Sequence, residues 1–380
     1  MKRIVCFVLL LALLPGGAAL ALEPLSEGAL PIAAPSAILM EKTTGTVLYE
    51  KNADERLPPA SVTKVMTLLL LMEDLDAGRL STEDVVTASD RAASFGGSCV
   101  YLEPGEKMSV HEMLKCIAVA SANDCAVAMA EHVSGTEALF VERMNRRAAE
   151  LGLKNTHFTN CTGLFEDPGH YTSARDIALM SRELLRHPRI KEYTTIWMDS
   201  IRNGSFDLAN TNKLVNWYEG CTGLKTGYTT AAMYCLAASA ERDGVEYIAV
   251  VLHGESSDSR NVDASTLLNY AFANFSLCPL RPSGPLPQLP VELGGKEALA
   301  LRCEGEEALL LPRGSGQASY SLRLPGAVIA PVEEGQEVGT LQVRLGEELL
   351  AELPLVAAET VPRLDFWKIF LRLAGSLLGI

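Results

Sequence analysis

Ser61 and Lys64 stand three residues apart in PPASVTKVMTLLLLMEDL, Pro58 to Leu75, at the head of an almost uninterrupted apolar run. Three residues is close to one helical turn, so the two side chains share a face and lie within reach of each other. A serine hydroxyl attacks poorly until a base takes its proton, and a lysine can be that base only if it is held neutral. Desolvation on an apolar helix disfavours the ammonium form, so the pair has the makings of a nucleophile beside its base. Two further elements follow in order: Ser121-Ala122-Asn123 in ASAND and Lys225-Thr226-Gly227 in GLKTGYT. Ser-x-Asn recurs as Ser259-Arg260-Asn261, whereas Ser-x-x-Lys and Lys-Thr-Gly occur once each; the ordered set is what is specific.

The elements that must position these residues can be read around them. SAILMEKTTGTVLYEKN carries two apolar runs flanking Thr43-Thr44-Gly45, a β-hairpin pattern. Val62 to Leu75 is long and apolar enough for a core helix. Helical patterns dominate to about Leu185, in VHEMLKCIAVASANDCAVAMAEHV, TEALFVERMNRRAAELG and ARDIALMSRELLRH. Strands return in MYCLAASAERDGVEYIAVVLHG about an Asp243-Gly244 turn, and a last helix is expected over Ala264 to Asn274. Strands at both ends with helices between them predict an α+β fold: one mixed sheet with a helical subdomain inserted.

Five prolines between Pro279 and Pro290 predict a linker over residues 277–290. Short alternating runs bounded by Gly and Pro then predict a small all-β domain over 291–360, with no ligand visible. In the tail, 362–380, Asp365, Lys368 and Arg372 follow one helical stripe, and Phe366, Trp367 and Phe370 belong to the broad apolar remainder. Such an amphipathic helix suits the plane of a membrane surface; docking on its own domain is the other reading. At the opposite end, Lys2 and Arg3, the apolar stretch Ile4 to Leu14, and Ala19 and Ala21 read as a secretory signal over 1–21. An uncleaved anchor is the alternative, which the shortness of the apolar run disfavours. Loss of that segment moves the formal charge from −14 to −16, and an acidic chain without a long Lys/Arg run is a poor partner for nucleic acid. The eight cysteines beyond Cys6 are scattered, with neither a C-x-x-C pair nor zinc-spaced histidines, so no metal and no cofactor is expected.

Ser-x-x-Lys, Ser-x-Asn and Lys-Thr-Gly in this order resemble the penicillin-binding proteins and serine β-lactamases. LPPASVTKVMT, ELGLKNTHFTNCTGL, HYTSARDIALM and NTNKLVNWYEGCTGLKTGYT narrow the likeness to the low-molecular-mass penicillin-binding proteins, the serine-type D-alanyl-D-alanine carboxypeptidases, over a catalytic domain at 30–276. The resemblance implies an antiparallel sheet with an inserted helical subdomain, followed by the small β domain and the amphipathic helix. It implies export to the outer face of the cytoplasmic membrane, periplasm or cell wall, with the tail on the membrane surface. The implied substrates are peptidoglycan stem peptides, with β-lactams acylating the same serine.

The resemblance also assigns roles. Ser61 is the nucleophile and Lys64 its base, with Lys225 across the cleft helping to hold Lys64 neutral. Ser121 relays a proton to the leaving amine, and Asn123 orients the substrate backbone. Lys225 and Thr226 take the terminal carboxylate by a charge-assisted hydrogen bond. Gly227 lets a strand approach the substrate, and the backbone N–H groups of Ser61 and Tyr228 form the oxyanion hole. Relatives often carry histidine where this chain has Tyr228. Arg260, expected in the loop before the last helix, is a candidate carboxylate clamp; His170 and Asp124 read as structural. Two rivals remain. A β-lactamase of class A would add a glutamate for deacylation, and nothing resembling that element lies between Ser121 and Lys225. A non-hydrolytic cell-wall-peptide binding module would not need a nucleophile with its own base.

Overall fold

Helix α1, Lys64–Asp76, is buried along its whole length except at Glu73 and Asp76. Its sequence is apolar on every side, and a helix of that kind belongs in the middle of a core. It is entered through a 3-10 turn over Ala60–Thr63. At three residues per turn, positions i and i+3 eclipse, which stacks Ser61 on Lys64. Around α1 pack α2 (Val110–Val119), α3 (Asn123–Ser134), α4 (Glu137–Glu150) and α5 (Ala174–Leu184). This computed structural model describes residues 22–368 and 370; the expected signal segment and most of the expected terminal helix lie outside the described residues.

The sequence pattern reads α2 and α3 as one run, and the chain breaks it at Ala120–Ala122. Ser121 takes φ +63° and Ala122 turns to ψ 120°. The Asn123 N–H goes to Ser98 O at 2.7 Å, and the Asp124 carboxylate accepts from the N–H groups of Val100 and Leu102, both at 3.1 Å. The loop at 98–102 therefore fixes where the second helix starts, from outside the helix.

Five strands form one sheet: β1 (Ser36–Glu41), β2 (Val47–Lys51), β3 (Cys221–Thr229), β4 (Met233–Arg242) and β5 (Val245–Gly254), in the order β2-β1-β5-β4-β3. Every pairing is antiparallel, so the sheet is not mixed. Ile38, Met40, Ile248, Val250 and Leu252 face the core around α1. Their alternates Ala37, Leu39, Ala249 and Val251 face the other side, where α6 (Ser257–Asn274) packs. Helix α6 starts seven residues before the expected Ala264, because Ser256 caps it by accepting the Ser259 N–H at 3.0 Å and Asp258 sits in the first turn.

The chain divides at Cys278 into a second compact unit. This unit is all-β as far as Arg363, and the described tail residues Phe366, Trp367, Lys368 and Phe370 are helical. A three-stranded sheet pairs Ala298–Leu299, Leu289–Glu292 and Val328–Ile329, and a four-stranded sheet pairs Leu301–Cys303, Glu348–Ala357, Glu337–Leu345 and Ala318–Arg323. Leu299, Val332 and Val361 fill one small core, and Leu341, Val343 and Leu355 another. Of the tail, Phe366, Trp367 and Phe370 are described and exposed. Among the described residues no helix is long and apolar enough to cross a membrane.

Ser256→Ala removes the cap of α6 and is expected to lower stability by about 1 kcal/mol. The check is a urea midpoint that shifts while the slope stays constant; a parental midpoint shows that the cap is dispensable.

Candidate active site

The Lys64 side chain is fully buried, and its amine meets three oxygen atoms. Asn123 Oδ1 lies at 2.6 Å, Ser61 Oγ at 3.0 Å and Thr162 O at 3.1 Å. The Asn123 carboxamide is oriented by its other end, whose Nδ2 donates to Gly96 O at 2.8 Å. Both it and the Thr162 carbonyl can therefore only accept from Lys64. A charged amine donates to all three oxygens. A neutral amine donates to the two carbonyl groups and turns its lone pair to Ser61, whose hydroxyl then donates to it. Loss of the Lys64 proton changes the direction of one hydrogen bond and leaves the geometry intact.

Burial pushes the Lys64 amine down to about 7 from its ordinary 10.5, opposed by nearby Cys161, Cys99 and Asp124. Burial also holds Lys225 well below its ordinary range, and there repulsion from Lys64 and from Arg260 adds to it. Desolvation is the leading cause at both lysines, and their mutual repulsion, which acts on each alike, disfavours both being charged at once.

Gly227 lies in edge strand β3 against the turn that carries Ser61. A Cβ there would come 2.6 Å from Pro59 O and 3.1 Å from Ser61 N. The close approach this glycine permits is therefore to the nucleophile's own backbone. From the same strand, Lys225 Nζ donates to Thr226 O at 3.0 Å, and Thr226 Oγ1 donates to Thr211 Oγ1 at 2.7 Å. Tyr228 is exposed, its ring 4.5 Å from that of Tyr234. Arg260 is not in a loop but in the first turn of α6, where Nη1 donates to Gly227 O at 3.1 Å and Cys235 O at 3.2 Å. It is buried behind β3 and braces that strand. Ser121 Oγ is buried and has no hydrogen-bond partner among the described residues.

Residue types alone do not single out Thr162 and Gly163 as part of the site. Thr162 contributes a backbone carbonyl, which no side-chain type advertises. Asn160 Oδ1 shapes the loop by accepting from the N–H groups of Thr162 at 3.1 Å and Gly163 at 2.7 Å. An Asn two and three residues before such a turn, with Gly at its end, was the available signal in TNCTGL.

The chain is similar to known proteins over most of its length. Residues 23–256 match the family described as D-alanyl-D-alanine carboxypeptidase, and residues 287–363 match the C-terminal domain of penicillin-binding protein 5. The chain is 43% identical to D-alanyl-D-alanine carboxypeptidase DacF of Bacillus subtilis, over 90% of each chain. It is 33% identical to DacA of Escherichia coli K12, over 91% of this chain and 88% of that protein. Among solved structures it resembles penicillin-binding protein 5 of Haemophilus influenzae, with TM-score 0.72 and 30% identity over 87% of this chain and 98% of that one. Penicillin-binding protein D2 of Listeria monocytogenes, solved in an ampicillin-bound form, matches with TM-score 0.59 and 31% identity over 64% of this chain and 99% of that one.

A titration of Lys64 followed at its Cε carbon is expected to show a midpoint near 7; a midpoint near 10.5 refutes the desolvation account. From pH 7 to 10.5 the unfolded chain holds a proton here that the folded chain has lost. This group accordingly makes folding stability rise with pH across that window.

Proposed function

The chain belongs to the D-alanyl-D-alanine carboxypeptidase family, and from that premise we propose that Ser61 attacks the terminal D-Ala-D-Ala carbonyl of peptidoglycan stem peptides with Lys64 as its base. The observation that carries this reading is the Lys64 amine, buried, lowered to about 7 and 3.0 Å from Ser61 Oγ. The Ser61 proton passes to Nζ as the Oγ–C bond forms. The developing oxyanion takes hydrogen bonds from the backbone N–H groups of Ser61 and Tyr228, where fixed donors contribute most. The proton then reaches the leaving D-alanine amine through Ser121, whose unpartnered hydroxyl is free to turn. The C–N bond breaks and an acyl-enzyme remains. Water gives a proton to Lys64, attacks the ester, and Ser61 leaves as a hydroxyl.

Lys225 and Thr226 make the carboxylate subsite, and Arg260, bracing β3 from behind, acts on a bound carboxylate through its charge. The basic side chains of Lys225 and Arg260 repel each other in the free enzyme, so an incoming carboxylate relieves that repulsion. Asn123 acts first on Lys64, with one amide hydrogen left for the substrate backbone. β-Lactams would acylate Ser61 by the same route. We place the protein outside the cytoplasm, at the outer face of the cytoplasmic membrane, periplasm or cell wall, with its amphipathic tail on the membrane surface.

The test is D-alanine release from a diacyl-L-Lys-D-Ala-D-Ala peptide. Ser61→Ala is expected to abolish both release and labelling by fluorescent penicillin; labelling elsewhere ends the assignment. Lys64→Arg keeps a cation but loses the base, and about 10²- to 10⁴-fold in acylation should go with it. Because the base must be unprotonated, kcat/KM should fall with decreasing pH below about 7. Tight peptide binding without release would favour the binding module, and preferential turnover of penicillin the β-lactamase.

A further inference from the structure

We propose that His170 and Thr63 are positioning residues for the nucleophile, joined in a one-way hydrogen-bond chain that ends on the backbone carbonyl of Ala60. The inference rests on Ser61 as the attacking group.

Ala60 immediately precedes Ser61 and has φ +48°, a left-handed conformation unfavourable for a residue with a Cβ. Something outside the turn must hold it. Thr63 Oγ1 donates to Ala60 O at 2.8 Å, which uses the only hydrogen that hydroxyl has. The 2.8 Å contact between Thr63 Oγ1 and His170 Nε2 must then run the other way, with Nε2–H as donor. On the far side of the ring, His170 Nδ1 accepts the Thr159 N–H at 3.0 Å and so carries no hydrogen. The two contacts independently require the same neutral tautomer. His170, Thr63 and Ala60 are 4%, 1% and 2% exposed, so water does not compete for these groups. Burial also pushes the imidazole down to about 4, keeping it neutral wherever the enzyme works.

The same loop reaches both members of the catalytic pair. Thr159 starts the chain to Ala60, while Thr162 O, three residues on, accepts from Lys64. Gly163 closes against the turn itself: a Cβ there would lie 1.8 Å from Ala60 O and 2.5 Å from Thr63 Oγ1. A backbone bridge between Leu57 and Thr172 ties the segments bearing Thr63 and His170 just beyond the chain. The segment Thr159–Gly163 thereby sets the Ser61–Lys64 separation from both ends: the amine through a carbonyl, the hydroxyl through histidine, threonine and the Ala60 peptide.

The experiment combines kinetics with nitrogen NMR on the full chain. In the wild-type protein, His170 should show a protonated Nε2 and an unprotonated Nδ1 through neutral pH; an Nδ1–H tautomer or an imidazolium overturns the proposal without reference to activity. Thr63→Val keeps shape but breaks the chain, and should lower kcat for peptide and the penicillin acylation rate about 10- to 100-fold at unchanged KM, as expected for a small displacement of a reacting atom. Thr63→Ser should restore most of that rate. His170→Asn keeps an acceptor for Thr159 but cannot reach Thr63, so it should match Thr63→Val, and the double variant should be no slower than either single one. Wild-type acylation per folded Thr63→Val molecule, failure of serine to rescue, or multiplicative losses would each refute the positioning role. Absence of Ser61 acylation in the wild-type protein would instead mean that the functional reading has failed.

Discussion

One buried amine governs the rest of the structure. Lys64 is held by partners that serve it in either protonation state, and the two carbonyl groups among them cannot give a hydrogen back. Only the bond to Ser61 can reverse. Proton transfer between hydroxyl and amine therefore needs no movement of heavy atoms, and the reorganisation that water would undergo around a new charge is largely avoided. The condition is that the amine be dry, and α1 meets it. A helix with polar residues along one side would have left Lys64 at a wet surface with an ordinary affinity for protons; apolar residues all round its axis bury the amine completely.

Holding the serine beside that amine requires backbone where side chains would not fit. Gly163 and Gly227 both lie against the Pro59–Ser61 segment, each without room for a Cβ. Ala60 and Ser121 take left-handed conformations within the same site. Residues with a Cβ adopt such backbone only where the surroundings over-determine it. Here the surroundings are identifiable: Thr63 and His170 at Ala60, and the Ser98–Leu102 loop next to Ser121. Rigidity in this site comes from hydrogen bonds of loops to one another as much as from the helices that carry the named side chains.

Types and spacing made Ser61 and Lys64 legible, because a serine and a lysine one turn apart on an apolar helix have few other uses. The hairpin β1–β2 and the pair β4–β5 were legible for the same kind of reason, since long apolar runs around Gly-containing turns leave little choice. The helix break at Ala120–Ala122 was not. Alanine and serine do not interrupt an apolar pattern, and the cause lies in one acceptor, Ser98 O, and two donors, the Val100 and Leu102 N–H groups, on a loop some twenty residues earlier in the chain. Strand β3 was expected only through the family resemblance, because Gly223, Gly227 and several threonines give no alternation on an edge strand. The start of α6 was missed because Ser256, Ser257 and Asp258 look like loop until one of them is recognised as a cap, and Arg260 was misplaced with it. Backbone carbonyls such as Thr162 O leave no trace in residue type at all.

The second lysine explains how an empty site and an occupied one can differ without a conformational change. Lys225 is depressed by burial and by two neighbouring basic groups, so its proton is weakly held until an anion arrives. A carboxylate placed beside it reverses the balance and favours the charged form. A charge on Lys225 in turn repels a proton from Lys64, across the same interaction that depresses Lys225 in the free enzyme. On the roles proposed above, a terminal carboxylate bound at Lys225 would push Lys64 toward the form that accepts the Ser61 proton, and the two lysines would act as one device.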